Sequence, residues 1–191
     1  MGKTRMEGFS DAVLAIIITI MVIEIRAPHD NDPSSLIPLK YKFLSYVLSF
    51  IYLAIYWNNH HHMLHSAQQV NGKVLWHNIH LLFWLSLVPF VTSWMGENHF
   101  STWPVALYGV DLLMAGVAYY FLAHELARHH GKESVLSKAI GRDWKGKLSV
   151  LIYVLGIGLS FVHPYIGFGL YVLVAGMWII PDRRFEKKAR Q

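Results

Sequence analysis

The chain contains no cysteine, which removes disulfides and thiolate metal sites from consideration. Charge is scarce too. Only 15% of its 191 residues are Asp, Glu, Lys or Arg, where an ordinary soluble domain carries about 25%. The 12 acidic residues are outnumbered by 17 basic ones, giving a net charge of +5. Because the basic residues gather beside apolar blocks, that excess is read as topological and no nucleic-acid partner is expected. There is no T-V-G-Y-G stretch. No phosphate-binding glycine loop or nucleophile elbow occurs. The first apolar segment begins with Asp11 and lacks a small-x-small site, so no cleavable signal peptide is read.

What remains is strongly apolar: 54% of the residues are hydrophobic. Six segments approach the roughly 20 residues needed to cross a bilayer. They cover about 6–26, 42–64, 74–95, 102–127, 148–162 and 165–180. The expectation is an all-α, polytopic membrane protein forming one six-span unit over residues 1–191. The last two segments are short and meet at His163-Pro164, where the proline and the flanking glycines favour a tight hairpin. Loop charges support the count. With the N-terminus placed in the cytoplasm, fourteen of the 17 Lys and Arg fall inside, leaving Arg26, Lys40 and Lys42 outside. Both termini are therefore expected in the cytoplasm. Residues 26–40 read as an outer loop. Residues 129–147 read as the longest inner loop, with room for a short amphipathic piece. The basic tail after Pro181 suits anionic headgroups.

The chain is organised around its first apolar segment. Arg5, Phe9, Ser10 and Asp11 lie at its mouth, and Thr4 with Glu7 has capping-box spacing, so a helix is expected to start near Arg5. Phe9, Ile16, Ile20 and Ile23 return to nearly one face at about 100° per residue, with Thr19 beside them.

Arg5-x-x-x-Phe9-Ser10-Asp11 at the start of this span, followed by Ala15-Ile16 and Thr19, resembles the signature of the transmembrane protein 175 potassium channels in their short prokaryotic form. Trp57 and His60-His61-His62 at the end of the second segment also fit, and six spans match one family repeat. The resemblance implies a potassium-permeable cation channel rather than an enzyme, in the prokaryotic inner membrane. It implies a homotetramer in the lipid bilayer, with four first helices around the pore. By position, Ile16 is the principal constriction, Ile20 and Ile23 continue it outward, and Thr19 offers a hydroxyl ring. Potassium is the permeant species among monovalent cations, and no cofactor is implied.

Each of these residues also has a plainer reading. An apolar stripe can face lipid or a neighbouring helix, and Thr19 can bond back to the Ala15 carbonyl. Ser10 and Asp11 are expected to bond Trp57, His61 or Asn78 and so fix the first helix, since an unpaired carboxylate among packing neighbours is costly. His61/His65 and His77/His80 have the spacing of helical metal ligands, which keeps a histidine-ligated membrane metalloenzyme as an alternative. An ion-coupled secondary transporter is another. Against it, no Gly or Pro interrupts residues 12–25. Asp111 inside the fourth segment is a functional candidate by its placement. Glu24 suits the outer mouth or an ion pair with a neighbouring base. The tryptophans near span ends fit an interfacial belt, and Gly156, Gly158, Gly167 and Gly169 fit close packing of the last two helices.

Overall fold

The computed structural model describes residues 2–131 and 143–179. Six α-helices make up almost all of it, and no strand occurs among the described residues. They are α1 (Lys3–Ile23), α2 (Lys40–His65), α3 (Gly72–Glu97), α4 (Thr102–His130), α5 (Trp144–Ser160) and α6 (Pro164–Ile179). Helices α1, α3 and α4, together with Pro33–His65, are each long and apolar enough to cross a membrane. At 17 and 16 residues, α5 and α6 reach only about 24–26 Å along their axes. They form the hairpin expected at His163-Pro164, with Pro164 as the first helical residue, where its missing N–H costs nothing.

Several local expectations are corrected. Helix α1 begins at Lys3, with the Arg5 and Met6 amides bonding the Gly2 carbonyl at 3.1 and 3.4 Å. Thr4 is therefore already helical, no side chain caps the end, and Glu7 pairs with Lys3 instead. The helix stops at Ile23, so Arg26 lies in the loop between α1 and α2. That loop contains a 3₁₀ turn, Pro33–Leu39, capped by Asp32, which accepts from the Ser34 amide at 2.7 Å. The turn runs directly into α2. Helix α4 continues to His130, three residues beyond the expected end. The middle of the expected inner loop and the tail after Pro181 lie outside the described residues.

Packing is uneven. Helices α3 and α4 share the longest interface, and α4 also supports the α5–α6 hairpin. One apolar core joins α1, from Met6 to Met21, to α2, α3 and α4. A second joins α2, α3, α4, α5 and α6 toward the turn between α3 and α4. The turn between α3 and α4 places His99 and Phe100 in the left-handed region, at φ 52° and 57°. Phe100 holds this conformation by burying its ring against Phe168, with centroids 4.5 Å apart. By contrast, α1 packs mainly on α3 and α2, through Met6, Ser10, Leu14, Ile17 and Met21. Val13 and Ile18 flank that contact half-buried, and Phe9, Ile16, Ile20 and Ile23 are exposed.

Two of the four glycines expected at the α5–α6 contact are there for close approach. A Cβ on Gly167 would meet the Gly156 carbonyl oxygen at 2.7 Å and collide with Ser160 Oγ, and one on Gly156 would strike the Tyr171 ring. Gly158 and Gly169 face open space. Gly167→Ala is expected to cost about 1–3 kcal/mol through overpacking, read as a lower thermal midpoint of the purified protein. Gly169→Ala, on the same helix, is expected to leave the midpoint unchanged or slightly raised.

Candidate functional site

Helix α1 carries two different surfaces. Its buried stripe steps by four, four, three and four residues from Met6 to Met21. At about 100° per residue this keeps one face on the bundle. Phe9, Ile16, Ile20 and Ile23 fall on an adjacent face that is left exposed among the described residues. Ile16 is 58% exposed and Ile23 69% exposed. The Thr19 hydroxyl lies on this open side and donates to the Ala15 carbonyl at 2.8 Å. The plainer reading of Thr19 thus holds for its proton.

The N-terminal half of α1 is fixed by a buried chain of polar groups. Ser10, fully buried, donates its hydroxyl proton to the Met6 carbonyl at 2.9 Å and so can only accept from Asn78 Nδ2, also at 2.9 Å. Asn78 Oδ1 then faces His60 Nε2 at 2.8 Å. The Ser10 proton decides the rest: Asn78 must present its amine to Ser10, so its carbonyl requires His60 to carry a proton on Nε2. One side chain each from α1, α3 and α2 is engaged, with no donor or acceptor left facing another of its own kind.

Asp11 is on the neighbouring flank. It is exposed rather than buried among packing neighbours, and it accepts from Trp57 Nε1 at 3.0 Å. Asn78 and Trp57 are therefore the partners of Ser10 and Asp11. His61 is not. Its ring stacks on Trp57 at 5.8 Å and on His65 at 6.2 Å. The histidine that joins the polar chain is its neighbour His60. Helical spacing held the signal, since Ser49, Leu53, Tyr56, His60 and Leu64 continue one side of α2, all but the partly buried Tyr56 deeply buried. Arg5 is exposed and makes no ion pair among the described residues.

The remaining histidines are engaged separately. His130 Nε2 accepts from the Gln68 and Gln69 amides, His80 Nε2 accepts from Trp84 Nε1, and His124 bonds the Tyr120 carbonyl. Among the described residues no three His, Asp or Glu side chains converge as a metal site would require. Glu24 lies just past the C-terminal end of α1 without an ion pair among the described residues, and Lys42 is taken by Glu97 at 3.0 Å. Asp111 is buried in α4, remote from the open face of α1.

Asn78→Leu is expected to strand both the Ser10 lone pairs and the His60 N–H, each unsatisfied group costing about 1–3 kcal/mol. The thermal midpoint should fall well below that of the double variant Asn78→Leu/Ser10→Ala, which removes one stranded partner. Equal midpoints would mean that the chain does not hold α1.

Comparison with known proteins agrees with this architecture. Residues 5–89, which include α1 and the polar chain, match the family model described as endosomal/lysosomal potassium channel TMEM175. The chain is 51% identical over its full length, and the full length of the relative, to the Chryseobacterium protein named potassium channel HX13_20290. It is 26% identical to potassium channel B446_29190 of Streptomyces collinus, over 90% of this chain and 88% of that one. Its fold is that of the crystal structure of a lysosomal potassium-selective channel TMEM175 homolog from Chamaesiphon minutus. That match has a TM-score of 0.81 at 24% identity, and covers 93% and 96% of the two chains. A six-helix membrane protein with an open first helix, matched end to end at 51% identity, belongs to the TMEM175 family.

Proposed function

We propose that the chain is a potassium-permeable cation channel of the cell membrane, built as a homotetramer with four copies of α1 around the pore. The observation that carries this reading is the exposed apolar stripe of α1 on a helix whose adjacent, buried face is anchored by directional hydrogen bonds. A helix held in one rotation presents one chosen face outward. Four copies related by a four-fold axis would bury that face against itself. The names of the Chryseobacterium and Streptomyces relatives support potassium as the ion. The distribution of Lys and Arg supports both termini on the cytoplasmic side.

In this arrangement Ile16 forms the narrowest ring, and Ile20 and Ile23 extend the apolar neck outward. Branched aliphatic rings of this kind gate by dewetting: when the neck is narrow, water and ions leave it, and widening readmits both. Thr19 follows on the adjacent side of the helix. Its proton is already committed to Ala15, so each hydroxyl offers oxygen lone pairs, which suit a partly dehydrated cation. Ser10, Asp11, Trp57, Asn78 and His60 keep the inner half of α1 at a fixed angle, with His61 packing the indole edge onto Asp11. Arg5 and Phe9 lie at the cytoplasmic mouth. Conduction needs no cofactor and no chemical step, and the continuous helix from Lys3 to Ile23 gives no broken segment of the transporter kind.

Planar-bilayer recording with potassium on one side and sodium on the other tests the reading. Wild type is expected to reverse at a potential favouring potassium. Ile16→Asn is expected to conduct severalfold more, because an amide ring holds water in the neck. Current unchanged by Ile16→Asn would place the constriction elsewhere, and a folded, reconstituted wild type that passes no current would overturn the channel.

A further inference from the structure

Asp111 plays no part in the proposed pore, yet it is the most isolated acidic group in the described chain. It is 3% exposed, and neither carboxyl oxygen has a hydrogen-bond partner among the described residues. A bare carboxylate in such a place is strongly disfavoured unless something binds it. The groups around it supply no counter-charge. Tyr56 from α2 and Tyr108 from α4 lie within its electrostatic reach. Tyr52, Tyr153 and Tyr171, from α2, α5 and α6, occupy the same buried layer as Tyr108. Helix α3 contributes only hydroxyls at this level, since Lys73, His77, His80 and Glu97 lie toward its ends. Among the described residues no group of His, Asp or Glu side chains that could hold a metal forms at Asp111. The ligand that fits one acid among neutral hydroxyls is a proton.

A path for that proton is visible. Tyr108, one helical turn before Asp111 on the buried side of α4, hydrogen-bonds Ser49 Oγ at 3.0 Å, and Ser49 bonds Thr92 Oγ1 at 2.6 Å. Thr92 in turn lines an open pocket of about 10 Å³ between the outer ends of α1, α2 and α3, beside Glu24, Lys42, Ser45 and Ser93. That volume is at the lower limit for admitting a single water. Each hydroxyl is both donor and acceptor, so the row can reverse its polarity as a unit. No bond joins Tyr108 to Asp111. The relay proposed below closes that gap by a turn of the carboxyl or by one water.

We propose that Asp111 is a proton-exchange site inside each subunit, off the α1 face, loaded from the outer pocket through Thr92, Ser49 and Tyr108. On release, the carboxyl gives its proton to Tyr108. Tyr108 passes its own to Ser49, Ser49 to Thr92, and Thr92 to the pocket water. One proton leaves Asp111, one hydronium appears in the pocket, and the three hydroxyls are unchanged in number and charge. Loading is the reverse. The proposal does not rest on the pore assignment.

The test is infrared spectroscopy of the protein in lipid vesicles, labelled with carboxyl-¹³C aspartate and transferred from H₂O to D₂O. Wild type should show a labelled carboxylic-acid C=O band that shifts on deuteration. Asp111→Asn should lack the band. Asp111→Glu, which keeps an acid in place if the asparagine variant does not fold, should replace it with an unlabelled one. Ser49→Ala and Tyr108→Phe should keep the band but slow its deuteration by about tenfold or more, because each removes one link of the relay. Absence of the band from wild type, or its persistence in Asp111→Asn or Asp111→Glu, overturns the site. Deuteration at the wild-type rate in both Ser49→Ala and Tyr108→Phe overturns the route.

Discussion

Asn78 is a single carboxamide at the meeting point of three helices, and the rest of the arrangement depends on how it is satisfied. Its amine can go only to Ser10, because the Ser10 proton is already given to the Met6 carbonyl, and its oxygen can go only to His60. Apolar packing alone would hold α1 against α2 and α3 but would tolerate rotation, since Met, Leu and Ile side chains repack at little cost. Hydrogen bonds in a buried site do not tolerate it, because a group turned away from its partner finds no water to replace it. The rotation of α1 is thus set by polar chemistry, and the direction in which Ile16, Ile20 and Ile23 point follows from it.

This explains how a helix can be well anchored and mostly uncovered at the same time. The buried residues of α1 form one narrow stripe, whereas α4 buries side chains on most of its circumference. The subunit is a bundle built on α3 and α4, with the α5–α6 hairpin on one flank and α1 on another. Its polar interior is divided accordingly. One chain, Ser10–Asn78–His60, engages the N-terminal half of α1. Another, Thr92–Ser49–Tyr108, lies nearer the α3–α4 turn and ends at Tyr108, one helical turn from Asp111. The first is closed, with each proton assigned. The second ends on hydroxyls whose protons are free to reverse.

Much of this was legible in the sequence. Apolar segments of bilayer length, scarce charge and one-sided Lys and Arg give the six helices, and His163-Pro164 marks the hairpin. The motif residues Ser10 and Asp11 sit next to an apolar run, where polar groups demand partners, so Asn78 and Trp57 could be named. The choice among three consecutive histidines was less legible, because it depends on the phase of α2 to within about 100°. The packed row through Leu53, Tyr56 and Leu64 selects His60, while adjacency to Trp57 suggests His61. Thr4 and Glu7 had capping-box spacing, but the helix extends past them to Gly2. The relation of Asp111 to Ser49 and Thr92 joins residues up to about sixty positions apart, and no local pattern encodes it.

The central claim is that the open face of α1 meets the same face of other copies. The chain has no cysteine, so a single introduced thiol reports on its neighbours without background. We would place one cysteine at Ile16 or Ile23 on the open stripe, and one at Leu155 on the exposed side of α5 as a control. Membranes containing each variant would be treated with a short bifunctional thiol reagent, since direct disulfides need Cα atoms within about 7 Å. The account predicts covalent dimers from Ile16→Cys and Ile23→Cys and none from Leu155→Cys. Dimers from Leu155→Cys alone would put α5 at the subunit contact and leave α1 facing lipid, which would contradict it.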